Sequence, residues 1–196
     1  MTELQNKVFA GSLGAVNKMS AVKLLVNTLI YGLIAAILVY VVATDSFDWM
    51  DVLLVAAFGF IYSFFHDFFR IRATKKMLAA HHAYVLSKHP KTELYVPMLD
   101  KLGNTILLKR AGLFVENGKL AMEAFNQPAF TSRPKDSITI GYGPDFRITD
   151  AFDDVKKPIT VFKAVLMNNP YQFAIWKDEE TVAAIRAFWI ADRKDE

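Results

Sequence analysis

Four polar side chains interrupt stretches that are otherwise apolar: Asn27 in one stretch, and His66, Asp67 and Arg70 in a second. If both stretches are membrane spans joined as a hairpin, Asn27 and the His66-Asp67 pair lie at similar depth near the inner ends. Thr28, Tyr31, Tyr62 and Ser63 then sit on neighbouring turns. A carboxylate at the centre of a span costs about 2.5–3.5 kcal/mol on insertion scales, and less near the interface, so Asp67 needs a partner. Arg70, one turn on, is the local candidate; Asn27 and His66 are others. Two chemistries are open. One is a proton or ion relay, or a gate at an oligomer interface. The simpler one is a snorkelled Asp67–Arg70 pair that marks where the helix leaves lipid. Two helices do not enclose a pore, so transport would require oligomers or partner subunits.

Other chemistry-bearing residues form weaker patterns. His82 and His89 are spaced seven apart and His81 adjoins them, but no carboxylate at helical spacing completes a ligand set and HExxH is absent. The spacing predicts solvated histidines on a helical stalk, with no metal site. Gly141-x-Gly143 lacks the third glycine and the strand–helix context of a dinucleotide site, and reads as a strand end and turn. Asp145, Asp150, Asp153 and Asp154 do not have the spacing of a calcium loop. There is no G-x-S-x-G and no phosphate-binding loop. With Cys 0, disulfides, thiolate metal sites and cysteine nucleophiles are excluded. These residues predict a non-enzymatic protein with no cofactor.

The elements that must position the intramembrane residues are read from hydropathy. Leu24 to Ala43 carries no charge, and roughly 20 such residues cross ~30 Å of hydrocarbon as an α-helix. A second apolar stretch runs from about 51 to 71. The first starts too late and runs too long for a removable signal peptide. Lys7, Lys18 and Lys23 precede the first span, and Arg70, Arg72, Lys75 and Lys76 follow the second. The connecting loop holds Asp45, Asp48 and Asp51 and no basic residue. The asymmetry predicts an integral inner- or plasma-membrane protein with both termini cytoplasmic. Lys18, Lys23, Arg70, Arg72, Lys75 and Lys76 then lie within reach of anionic headgroups, each worth ~1 kcal/mol of attraction. A net charge of +3 gives no case for nucleic acid as a partner. Gly32-x-x-x-Ala36 and Ala56-x-x-Gly59 supply small residues for close helix packing.

Residues 1–90 are therefore expected to hold an N-terminal arm, two spans (about 24–43 and 51–71) and a stalk. The arm is either a short interfacial helix or a flexible segment. Helix formers continue from about Met50 to about Lys88, and Pro90 is the first breaker. From Thr92 the apolar pattern changes to period two. Asn117-Gly118 between two apolar runs predicts a two-residue hairpin that pairs Glu116 with Lys119. Further strands are expected at SITIGYG, FRITDAF, PITVFKAVLM and YQFAIWK, the last two divided by a turn at Asn168-Asn169-Pro170. Asp178 caps a final helix whose apolar face is Val182, Ile185, Phe188 and Trp189. Residues 91–196 thus read as a small antiparallel β barrel or sandwich closed by a C-terminal helix.

This element order, with Trp189 in AIRAFWIA, resembles the pleckstrin-homology-like fold. That fold has seven strands in two nearly orthogonal sheets and a C-terminal helix that plugs one end. The whole chain is similar in layout to bacterial two-helix membrane proteins with a cytoplasmic domain of this kind. The resemblance implies a scaffold or binding protein with a protein partner or a homo-oligomer. Many members bind phosphoinositides through basic residues on the first strands. Lys101, Lys109 and Arg110 fall near that place, but they read as ordinary strand charges and no inositol-lipid site is inferred. In layout alone the chain is also similar to two-helix membrane effectors whose β-barrel senses a nucleotide. An accessory subunit of a transporter or secretion complex is the third reading.

Overall fold

The computed structural model describes residues 3–16, 21–42, 49–103, 105–128 and 131–192. Three helices come first: α1 (Glu3–Val16), α2 (Ala21–Val42) and α3 (Trp49–Lys88). The strands follow: β1 (Thr92–Leu102), β2 (Thr105–Glu116), β3 (Lys119–Asn126), β4 (Asp136–Gly141), β5 (Phe146–Asp153), β6 (Ile159–Leu166) and β7 (Asn169–Trp176). Helix α4 (Glu179–Asp192) ends the described chain. There are two compact units, Lys18–Arg72 and the remainder, Met1–Asn17 with Ala73–Glu196. In this division α1 and the last turns of α3 belong with the strands.

In the first unit, α2 and the start of α3 approach closely through small residues. A Cβ on Gly59 would lie 2.5 Å from the Cβ of Tyr31, and one on Gly32 would lie 3.5 Å from that of Ala56. Their outward side chains are large, apolar and exposed, among them Leu29, Leu33, Leu38, Leu53, Phe58, Phe65 and Phe69. Among the described residues one helix, from Leu53 to Lys88, is long and apolar enough to cross a membrane, and a shorter apolar run covers Leu29–Leu38. The two full-length spans expected from hydropathy are matched by only one helix on this measure.

In the second unit the strands form one curled antiparallel sheet in the order β4-β3-β2-β1-β7-β6-β5, a half-barrel with β4 and β5 at its edges. Asn117 (φ 51) and Gly118 (φ 69) make the predicted hairpin, with Glu116 opposite Lys119. The β6–β7 turn falls one residue earlier than expected. Met167 (φ 49) and Asn168 (φ 64) turn the chain, and Asn169 already pairs with Leu166. β1 shifts register between Pro97 and Leu99, the bulge that a strand proline invites. Beyond that bulge β1 meets β7 only at Leu99 opposite Ala174. The sheet is therefore split along the β1–β7 seam above this contact.

The concave face is filled by Met98, Leu113, Met122, Phe146, Phe162, Phe173 and Ile175, with Val182 and Ile185 of α4 closing over it. Phe162 and Phe173 stack at 5.3 Å. Strict alternation fails in β1, where Leu94 through Leu99 are all buried. The reason is a second layer on the opposite face. Leu78 and Val85 of α3 cover Tyr95, Phe114 and Phe125 there. Residues 73–88 are thus not the solvated stalk expected from sequence, and His81 and His82 are buried beneath it.

Helix α1 is likewise not a free arm. Gln5, Val8, Ser12, Ala15 and Val16 form one buried face at helical spacing. The Gln5 side chain lies at the split seam: its Nε2 donates to Tyr95 O at 2.8 Å, and Tyr95 N donates to its Oε1 at 2.8 Å. One side-chain amide thus satisfies the two main-chain groups that β7 leaves unpaired. Gly11 lets the helix lie on Trp176, since a Cβ there would be 2.0 Å from the indole. Asp178 caps α4 through Thr181 N at 3.1 Å and is also paired with Lys7 of α1.

Candidate functional site

The polar cluster of Asn27, His66, Asp67 and Arg70 is described only in part. Asn27 lies on α2 and Asp67 on α3, but both side chains are outside the described residues. His66 is exposed, its ring 6.1 Å from that of Tyr62, which meets Tyr31 edge-on at 6.3 Å. Arg70 is half-buried. Among the described side chains, Tyr31, Tyr62 and His66 form an aromatic ladder at this level. Of the basic residues, Lys18 lies outside the described residues and Lys23 is described in its backbone alone. Arg72, Lys75 and Lys76 are exposed on α3.

The three strand cations are engaged within the domain. Lys101 pairs with Asp154. Lys109 donates to Gln172 O at 2.7 Å and lies 4.5 Å above the Tyr171 ring. Arg110 donates to Gln127 O at 2.9 Å. They do not converge on one ligand.

The densest polar constellation in the β unit is on the outer face, where the end of α3 crosses β3 and β4. Glu123 has a fully buried carboxylate. It accepts from Lys88 Nζ at 2.7 Å, from Ser137 Oγ, and from Thr139 Oγ1 at 2.7 Å. Lys88 also reaches Thr139 Oγ1 at 2.9 Å. His89 places Nδ1 3.3 Å from Glu116 Oε2 and Nε2 3.4 Å from Glu123 Oε2, with its ring stacked on Phe114 at 4.4 Å. Burial pushes the Glu123 carboxyl up, but the Lys88, Ser137 and Thr139 hydrogen bonds outweigh it and hold the group below its ordinary value. With so many donors on two oxygens, this carboxylate is a tie between helix and sheet and is not free to act as a base. A recess of about 620 Å³ opens beside it, walled by His89, Phe114, Glu116, Tyr142 and Phe188.

Two turns earlier are the two buried histidines. His81 is stacked on Phe125 at 4.1 Å, and its Nε2 lies 2.7 Å from Gln127 Oε1. Gln127 Nε2 donates to Thr131 O, so its Oε1 is the acceptor and His81 carries its proton on Nε2. His81 Nδ1 is buried with no hydrogen-bond partner. His82 meets Phe9 of α1 edge-on at 4.9 Å and is tilted over Tyr95 at 5.7 Å. Nothing in the spacing of His81 and His82 signals their burial. The available clue was an alternating Ser137-x-Thr139 opposite a lone Glu123 in an apolar strand, which marks the outer face as covered.

The fold is thus a seven-stranded antiparallel half-barrel with helices on both faces, and its most built site is a helix-to-sheet junction. No family model, no curated protein and no solved structure matches the chain.

Proposed function

We propose that this chain is a membrane-anchored, non-enzymatic binding or scaffold protein. On this reading α2 and α3 up to about Ile71 are a membrane hairpin in a bacterial inner membrane. The β unit is a pleckstrin-homology-like module held on the cytoplasmic side for a protein partner or a second copy. The distribution of exposed apolar side chains carries the reading. Large apolar groups are exposed all along α2 and along α3 as far as Phe69, and on α3 the next exposed one is Leu86. A surface of that size is costly in water and ordinary in lipid. Its limit coincides with Arg70 and Arg72, as the interface requires.

Strand order, the split β1–β7 seam and a C-terminal helix over the concave face support the pleckstrin-homology-like part. A binding module is favoured over a ligand sensor because the concave core is packed with aromatic and methionine side chains. The edges β4 and β5 carry exposed Ile138 and Phe152, where a partner strand can add. The chain has no cysteine, so topology is testable directly. A single cysteine at Asp48 should react with an impermeant maleimide on intact cells, and one at Asn117 should react only after lysis. The reverse pattern, or release of the protein by alkaline carbonate, would sink the proposal.

A further inference from the structure

Three histidines lie in the last turns of α3 and just after it, and their surroundings differ in kind. His89 faces two carboxylates, Glu116 and Glu123, with the Lys88 ammonium close by. His81 and His82 face none. Around His81 are Phe125, the neutral amide of Gln127 and the Arg110 guanidinium, which binds Gln127 from the other side. Around His82 are Phe9 and Tyr95, and no hydrogen bond to its ring is found among the described residues. Both rings are therefore seated as neutral imidazoles. A proton added at His81 Nδ1 would be a buried cationic donor with no acceptor. One added to His82 would lie between two aromatic rings that join α1, α3 and β1.

We propose that His81 and His82 form an acid-sensitive catch that frees α1 and the last turns of α3 from the outer face of the sheet when the rings take up protons. The catch works by differential solvation. In the released state both imidazolium ions meet water; in the docked state His81 Nδ1 is shut away from it and the His82 ring is largely covered. Burial accordingly lowers the proton affinity of both rings, with Arg110 acting in the same sense on His81. The sign follows from linkage. The released form binds more protons, so docking is complete above the ordinary value of 6.5 and is lost as pH falls below it. Release uncovers Tyr95, Phe114 and Phe125, a contiguous aromatic face. Because α1 touches His82 through Phe9, both helices respond to one event. The catch lies wholly in the β unit, so its test stands whether or not α2 and α3 enter lipid.

The test is hydrogen exchange on the full chain in detergent micelles, read on peptides covering 3–16 and 73–88 from pH 7.5 to 5.0. Rates are corrected for the intrinsic pH dependence of exchange. A ring of ordinary proton affinity when released multiplies the released population by at most about 30-fold over that range. The wild type should rise by well over threefold. His81→Gln with His82→Phe should hold the rise below threefold. The single variants, a safeguard if the double variant does not fold, should each rise less than the wild type. His89→Gln should keep the wild-type rise. A wild-type rise below threefold would overturn the catch. So would a full rise in the variants lacking His81 or His82, or its loss in His89→Gln, which would assign the response to the Glu116–His89–Glu123 contact.

Discussion

Replacing Gln5 with leucine tests whether α1 is part of the β unit. Gln5 is buried, and its amide makes the two hydrogen bonds that Tyr95 N and O would otherwise lack. Leucine fills a similar volume but offers neither donor nor acceptor. Each buried main-chain group left unpaired costs about 1–3 kcal/mol, so two cost about 2–4 kcal/mol after some relaxation. The loss has a ceiling. If it exceeds the docking free energy of α1, the helix detaches and water satisfies Tyr95. The expected signature therefore has two parts: a lower urea midpoint for the full chain in detergent, and faster exchange at the Tyr95 amide. Gln5→Glu separates the two bonds, because a carboxylate accepts from Tyr95 N but repels Tyr95 O. It should fall between wild type and leucine. If Gln5→Leu changes stability by less than about 0.5 kcal/mol while the Tyr95 amide stays protected, the seam is closed by something other than this side chain.

Two further outcomes follow from the buried groups. Glu123→Leu should cost toward the low end of the ~3–5 kcal/mol for breaking a buried pair, since Lys88 keeps 37% exposure and can turn to solvent. Because the Glu123 carboxyl is held below its ordinary 4.5, its contribution is present above that pH and is lost as pH falls through the lowered value. The wild type should show an acid transition below about 4.5 that the leucine variant lacks, as circular dichroism would detect. At the other face, Ile185→Ala should cost about 2–5 kcal/mol, and more than Trp189→Ala, because Ile185 is fully buried and Trp189 only half-buried; paired urea titrations decide the order.

Local signals were legible and long-range ones were not. Asn117-Gly118 fixes its own hairpin because both residues tolerate positive φ. Asp178 fixes the start of α4 because its carboxylate binds Thr181 three residues on. The extent of α3 follows from helix formers that end before Pro90. The docking of α1 was not legible, because the buried face Gln5–Val8–Ser12–Ala15–Val16 is small and partly polar and hydropathy does not see it. The partner of Gln5 is 90 residues away, where only the fold can bring it. His81 and His82 misled for the same reason: what decides their surroundings is a sheet that follows them in the chain. The Glu123 tie joins residues from α3, β3 and β4, none adjacent in sequence.

The place of α1 in the chain has a kinetic consequence. Its three anchors are Tyr95 on β1, Trp176 at the end of β7, and Asp178, the cap of the last helix. Two of these lie about 160 residues after the end of α1. Helix α1 is thus made well before two of the three groups that seat it. At roughly 5–20 residues per second it waits on the order of ten seconds or more while everything between is made. During that interval the half-built sheet offers an open strand edge. Contacts of such long sequence separation slow folding. Maturation of this protein should therefore be limited by closure of its seam, and a helper that shields nascent strand edges should raise its yield more than one that speeds helix insertion.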